Sequence, residues 1–411
     1  MKTHSFFNKY KNIFILFILM NIIYTIVGVT AFLLLPHDQI FGQLTTTPIT
    51  ILDVFTRWDG MHYNSIAIDG YGVYNENNIA FFPLYPFIMR ILYKLTGVMP
   101  VYWGLIVSRL SYLASMILLY DLTSLDYDEE TSYTTVLYMT VFPASFYFIS
   151  LYTEALFLLF ILLSFTCFRK ERYLCGAFFA MLSTALRSVG IFMIPVLLSE
   201  YLLKNKWEIK SLWKKIREDA KTGVAISLKP VFSLLIIPLG LLMFMFYCGL
   251  REGNILAFSS AQKAYMRFLK FPTVSLWVTA KNSVGFLWSV FKTFFIENAH
   301  IDSSLDLKLG FAFIKELLFG TFFTGIIVMM FKKVRPSYWL YTILMFIVPF
   351  STAVGDEGLS GMPRYVLILF PVFVFMASMR KCKKFNYTYL SLSIVLGIVL
   401  MSLFSCWHWV A

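Results

Sequence analysis

Long apolar runs separated by short polar segments make up most of the chain, and each run has the length of a helix buried in lipid rather than of a strand. The first run, Asn12 to Leu35, is long enough to cross a hydrocarbon core of roughly 30 Å and too long for a signal-peptide core. No small-residue cleavage site follows it, so it is expected to stay as the first transmembrane helix.

The polar segments sort into two sides. Basic residues cluster at Lys2, Lys9 and Lys11, at Arg169, Lys170 and Arg172, at Lys204 through Lys229, at Lys332, Lys333 and Arg335, and at Arg380 through Lys384; these mark cytoplasmic loops. The segment 204–229 carries eight basic residues and an amphipathic stretch with Trp207 and Trp213. It reads as a topology determinant with an interfacial helix, or alternatively as a site for a partner or anionic headgroups.

Between Arg172 and Lys204 the apolar run would measure roughly 46 Å as one helix, well over the bilayer core, with inside markers at both ends. It must go out and return, turning near Arg187-Ser188-Val189-Gly190. An arginine at mid-bilayer costs on the order of 2.5–3.5 kcal/mol on insertion scales, so Arg187 is expected at the outer surface.

The same parity makes Tyr338–Ala353 and Tyr365–Met379 two spans joined by an outer segment, Gly355–Arg364. It makes Val136–Ile149 and Leu151–Phe168 an outward hairpin that turns between Phe142 and Glu154. Pro36 to about Met99 is left as one long outer loop, 36–99, in which Leu84–Leu95 reads as a helix lying on the membrane. An outer region, 251–310, is expected to hold an interfacial helix over Ser283–Ala299. The acidic loop Asp121–Glu130 falls inside by parity alone, since acidic residues orient a span little. The expected architecture is one all-α, polytopic, membrane-embedded domain of about eleven spans over residues 1–411, with the N-terminus cytoplasmic and the C-terminus outside.

Composition agrees: 59% hydrophobic residues, 18% aromatic and a mean hydropathy of +0.72 over 411 residues lie outside the range of a soluble domain. The net charge of +12 would suggest nucleic acid in a soluble protein; here the loops account for it, and no nucleic-acid partner is expected. The five cysteines are scattered without a CxxC pair, which argues against structural disulfides or zinc.

Once sorted, the unusual polar residues emerge on the outer side: Trp58-Asp59-Gly60-Met61-His62, Tyr152-Thr153-Glu154, Arg187, and Pro363-Arg364-Tyr365. Asp59 and His62 stand three apart, on one face if helical. A carboxylate, an imidazole and two arginines suit transfer to a hydroxyl from a phosphate-activated donor: the acid takes the proton and arginine holds the phosphate.

Each residue has a plainer alternative. A lone Asp59 is a helix cap or ion-pair partner, a reading that Trp58 and His62 weaken. His62 is either an interfacial hydrogen-bond donor or an orienter of base or acceptor. Glu154 suits the start of a helix, and Arg187 and Arg364 could snorkel to the surface. The aromatic run Phe81-Phe82-Pro83-Leu84-Tyr85-Pro86 is either an interfacial anchor or a surface for a sugar or lipid chain, with Tyr152 and Tyr365 as further candidates. Asp356, Glu357, His300 and His408 read as solvated loop residues. One acidic residue with one histidine makes a poor cation site, so no metal ligand and no cofactor is assigned.

In their order along the chain, Arg57-Trp58-Asp59-Gly60-Met61-His62, Gly70-Tyr71, Ala80-Phe81-Phe82-Pro83-Leu84-Tyr85-Pro86, Phe142-Pro143-Ala144-Ser145 with Tyr152-Thr153-Glu154-Ala155-Leu156-Phe157, Ala185-Leu186-Arg187-Ser188-Val189-Gly190 and Pro363-Arg364-Tyr365 resemble the motifs of the GPI mannosyltransferase 2 (PIG-V) family. The resemblance implies a GT-C fold, a helix bundle whose first outer loop forms the active site. It also implies transfer of mannose from dolichyl-phosphate mannose to a lipid-linked glycan with inversion. Asp59 would then be the general base, with His62, Trp58 and Glu154 in support. Arg187 and Arg364 would contact the donor phosphate, and Phe82, Pro83, Tyr85, Tyr152 and Tyr365 the sugar or lipid, with the lipid tail between helices. Val189 stands where the family usually has Asn.

The shorter chain and the lack of an ER-retention tail suggest a bacterial relative in the cell membrane, with the endoplasmic reticulum membrane as the alternative. Its donor would be a polyprenyl-phosphate sugar and its acceptor a glycolipid, wall polymer or protein. The rival from another class is a lipid or sugar transporter or flippase. Such a protein would be expected to show paired repeats and polar residues at the membrane midplane; no repeat is evident.

Overall fold

A computed structural model of the protein describes residues 2–204, 229–293, 307–355 and 358–410. Most of the basic segment 204–229, together with Asp356, Glu357 and His300, lies outside the described residues.

Among the described residues, five helices are long and apolar enough to cross a membrane: Phe6–Leu34, Pro100–Thr123, Lys229–Glu252, Leu307–Met329 and Lys383–Ser405. In chain order the helices that build the site are α1 (Lys2–Leu34), α2 (Thr50–Asp53), α3 (Asp59–Ile68), α4 (Leu84–Thr96), α5 (Pro100–Thr123), α6 (Glu129–Val141), α7 (Glu154–Arg169), α8 (Tyr173–Thr184) and α9 (Met193–Lys204). They are followed by α10 (Leu239–Glu252), α11 (Pro272–Phe291), α12 (Leu307–Met329), α13 (Pro336–Phe350), the single turn α14 (Met362–Tyr365), α15 (Phe370–Ser378) and α16 (Lys383–Ser405).

The loop 36–99 folds into short helices, and α4 takes the place expected of a helix lying on the membrane. It is closed by Gly97 in the left-handed conformation. The chain turns between α6 and α7 and between α8 and α9, within the residues expected for the two hairpin turns. The expected interfacial helix at 283–299 begins earlier, at Pro272, because extended Phe271 and a proline in the first turn start α11 there.

The all-α expectation holds, with one small addition. Strands β1 (Arg267–Leu269), β2 (Thr352–Val354) and β3 (Gly358–Leu359) form a small antiparallel sheet, with Arg267 opposite Val354 and Val354 opposite Gly358. Two or three residues per strand give too little alternation to be read from sequence.

Helix α7 fixes the two ends of the bundle. At its C-terminal end Arg169 forms a bidentate pair with Asp126, both bonds 2.8 Å. The rest of the acidic loop pairs likewise: Asp121 with Lys9 at 2.8 Å, and Asp128 and Glu130 with Arg380 at 3.1 and 2.9 Å. Arg335 joins the same end through Glu200 at 2.8 Å. The acidic loop therefore lies with the basic clusters and neutralises part of their charge. At the opposite end of α7 stands Glu154.

Several helices meeting near Glu154 are short. At 1.5 Å per residue, α8 measures roughly 18 Å and α7 roughly 24 Å, less than a bilayer core of about 30 Å. The turns that carry Glu154 and Arg187 stand at the ends of these two helices.

Candidate active site

Four segments converge at this end. Phe55 accepts a backbone hydrogen bond from Leu151 at 2.9 Å, and the Tyr152 hydroxyl donates to the Arg57 carbonyl at 3.0 Å, which locks the start of α3 onto the turn before α7. Gly60 permits this approach: a Cβ there would lie 3.3 Å from that of Leu151. The Leu84 amide donates to the Ala185 carbonyl at 3.2 Å, fixing the turn that carries Arg187. The fourth segment enters through Gly361, whose φ of 79° is left-handed, and turns into α14.

The side chains form one charged network. Arg364 donates through Nη1 to Asp59 Oδ2 and through Nε to Glu154 Oε1, both at 2.5 Å, and Arg187 Nη1 donates to the same Glu154 oxygen at 2.9 Å. Glu154 is fully buried and the Arg364 side chain only 4% exposed, whereas Asp59 and Arg187 are each 15% exposed. Asp59 and Glu154 open α3 and α7, where the helix dipole favours a negative charge.

Burial pushes the Asp59 carboxyl up, but the charges of Arg364 and Arg267 and the hydrogen bond from Arg364 outweigh it. The net result holds Asp59 below the usual carboxylate range. Its Oδ1 accepts no hydrogen bond among the described residues. Burial likewise drives Arg364 toward deprotonation, and Glu154 and Asp59 reverse this, so its guanidinium stays charged.

His62 lies one turn along α3. Its ring stacks on Phe81 at 4.6 Å and meets Tyr265 edge-on at 5.8 Å. Burial lowers its pKa further than Asp59 raises it, so the ring is neutral at pH 7. Its Nδ1 is buried without a partner among the described residues, as is the Tyr265 hydroxyl.

Trp58, Asp59, His62, Glu154, Arg187 and Arg364, separated widely in sequence, are thus brought together. Trp58 takes a left-handed φ of 55° and packs against Phe41, Trp407 and Trp409 at 5.0, 5.8 and 5.1 Å. That conformation is strained for a bulky residue and is held by the aromatic cluster. Pro83 directly precedes α4 and is half-buried.

Several expectations are corrected. Arg187 does not reach out to the surface; it turns inward to Glu154, because the buried carboxylate offers a stronger partner than water. Phe82 packs against Phe244 and Phe258 at 4.9 and 5.3 Å, away from the charged network. Tyr85 is fully buried, with its hydroxyl held by the Gly104 carbonyl and Ser108. Tyr152 is buried under Arg364, whose guanidinium lies 4.5 Å from its ring. Phe82, Tyr85 and Tyr152 therefore support the site and present no free ring face to a sugar. Tyr365 is half-buried, within 5.3 Å of Arg187, 5.9 Å of Arg364 and 6.0 Å of Arg267.

Tyr265 and Arg267 are the residues that sequence reading missed. Both act electrostatically on or beside Asp59.

A family model described as Mannosyltransferase (PIG-V) matches residues 7–254. The match includes Asp59, His62, Glu154 and Arg187 and ends before Tyr265, Arg267 and Arg364. No curated protein matches the chain. Among solved structures it is similar to the oligosaccharyltransferase of Archaeoglobus fulgidus, crystallised with an acceptor peptide tethered through a disulfide bond. That similarity has 11% identity and a TM-score of 0.43, and it covers 99% of this chain and 56% of that enzyme.

Proposed function

The chain belongs to the mannosyltransferase (PIG-V) family, and from that premise we propose that it transfers a sugar, most simply mannose, from a polyprenyl- or dolichyl-phosphate donor to an acceptor hydroxyl, inverting the anomeric carbon. It is a membrane glycosyltransferase, which sets aside the transporter reading. Under this proposal the fold is of GT-C type, with the loop 36–99 supplying the base, and the acceptor is a glycolipid, wall polymer or protein.

The observation that carries the reading is the Asp59–Arg364 pair at the end of the short helices, with Asp59 Oδ1 accepting no hydrogen bond among the described residues. In the proposed step the acceptor oxygen attacks the anomeric carbon as the bond from that carbon to the phosphate oxygen breaks. The electron pair leaves with the lipid phosphate, and the acceptor proton passes to Asp59. A base held below the normal carboxylate range is always ionised but gains little from proton transfer. Its contribution therefore belongs toward the lower end of the usual factor of about 10² to 10⁴. Neutral His62, with an unpartnered Nδ1, can orient an acceptor hydroxyl without adding positive charge beside the base.

The test is incubation of the purified protein in lipid with a panel of polyprenyl-phosphate sugars and with nucleotide sugars. Consumption of a polyprenyl-phosphate sugar supports the proposal, and consumption of nucleotide sugars alone overturns it.

A further inference from the structure

Among the described residues the charged network holds three arginines, Arg187, Arg267 and Arg364, against two carboxylates, Asp59 and Glu154, leaving one positive charge in excess. The excess is not shared evenly. Arg364 spends Nε and Nη1 on Glu154 and Asp59 and is almost fully buried. Arg187 spends Nη1 on Glu154. Arg267 makes no hydrogen bond or ion pair with any described residue, yet it is half-buried and its charge acts on Asp59.

Arg267 is only partly buried and, among the described residues, its guanidinium contacts just the Tyr365 ring at 6.0 Å, so its donors are available to an anion. The backbone also fixes its place. Met266, with a left-handed φ of 56°, turns the chain so that Tyr265 meets His62 and Phe81 while Arg267 comes within 6.0 Å of Tyr365. The β1–β2 pairing, reinforced by the Gly355 amide on the Met266 carbonyl at 2.9 Å, ties this turn to the segment leading into Arg364.

We infer that Arg267 is the principal ligand of the donor's phosphate group, seated beside Tyr365, with Arg187 flanking it and Arg364 serving to position Asp59. This rests on the donor class proposed above. It reassigns the expected role of Arg364, whose fork already holds two carboxylates. The excess of one positive charge matches a sugar phosphodiester, which carries one negative charge. It also favours the leaving lipid phosphate, which gains a second as the sugar departs. The turn Tyr265-Met266-Arg267 would then serve acceptor and donor from its two ends.

The experiment measures binding of a polyprenyl phosphate and of the uncharged polyprenol of equal length to the full chain in zwitterionic nanodiscs, for wild type, Arg267→Gln and Arg267→Lys. Wild type is expected to prefer the phosphate, and Arg267→Gln to lose about tenfold or more of its affinity for it, with polyprenol binding and melting temperature unchanged. Arg267→Lys should restore part of the loss, since it returns the charge without the planar fork.

The outcomes separate the two claims. If wild type does not prefer the phosphate, the donor class falls. If it does and Arg267→Gln binds it equally well, only the assignment of Arg267 falls. If excess phosphatidylglycerol or inorganic phosphate displaces the polyprenyl phosphate, the site is a general phosphate site and the inference is overturned.

Discussion

Arg364 and Asp59, 305 positions apart in sequence, share a hydrogen bond of 2.5 Å that joins the late segment of the chain to its first long loop. The same arginine holds Glu154, so one buried cation fixes both carboxylates of the site. The arrangement gives each member a distinct consequence on removal.

Replacing Asp59 by Asn should abolish sugar transfer, by about 10² or more, with the protein still folded. The amide keeps the shape and an acceptor for Arg364, and Glu154 continues to neutralise that arginine. Transfer from a polyprenyl-phosphate sugar and the melting temperature in detergent would be measured side by side. Full activity in Asp59→Asn would remove Asp59 from the role of base.

Replacing Arg364 by Gln should act on both stability and the pH profile. Two carboxylates would lose their shared partner in a buried place, a loss on the order of 3–5 kcal/mol. In the wild type the Asp59 charge contributes stability above its ordinary value of 3.8, and that contribution is lost as pH falls through its lower folded value. Without Arg364, burial pushes the carboxyl up, with Arg267 alone of the nearby arginines still opposing it. The acid limb of kcat/KM should therefore move to higher pH. A limb that stays in place, or moves down, would contradict the electrostatic role of Arg364.

Much of this site is legible in sequence because charge parity works on long segments. It brings Asp59, Glu154, Arg187 and Arg364 to one side from the order of charged and apolar segments alone. Parity does not reveal direction within that side. Arg187 faces a buried carboxylate rather than water, and Phe82, Tyr85 and Tyr152 are sealed beneath the site, because such contacts depend on packing between segments far apart in sequence. Arg267 was hidden for another reason: its strand is three residues long and gains its meaning from pairing with Thr352–Val354. The family match covers the early part of the site and the resemblance reaches Arg364 as well, whereas Tyr265 and Arg267 come from the structure.

Glu316 on α12 is expected to be a positioning residue. Its buried carboxylate accepts the Met362 amide at 2.8 Å, at the turn that launches Arg364, and Lys315 beside it donates to the Val410 carbonyl. Val410 directly follows Trp409, which packs on Trp58. Glu316→Gln retains an acceptor and should lower kcat several-fold with little change in donor KM. Because the Arg364 contact loosens, the acid limb should rise in pH as it does in Arg364→Gln, only less. A purely structural residue would lower the melting temperature without moving that limb.

The opposite end of α7 provides the control. Asp126 forms its bidentate pair with Arg169 where both side chains are partly exposed, 24% and 13%. Water and salt screen such a pair, so Asp126→Asn should cost about 1 kcal/mol or less. Arg335, 3.9 Å from Asp126, keeps its stronger contact with Glu200 and limits the disturbance. This end and Glu154 stand at opposite ends of the sixteen-residue α7, so kcat, donor KM and the pH profile should match wild type within error, while the melting temperature falls by a few degrees at most. A change in the acid limb on Asp126→Asn would mean that the two ends are coupled through α7, and that a shifted limb does not by itself report contact with Asp59.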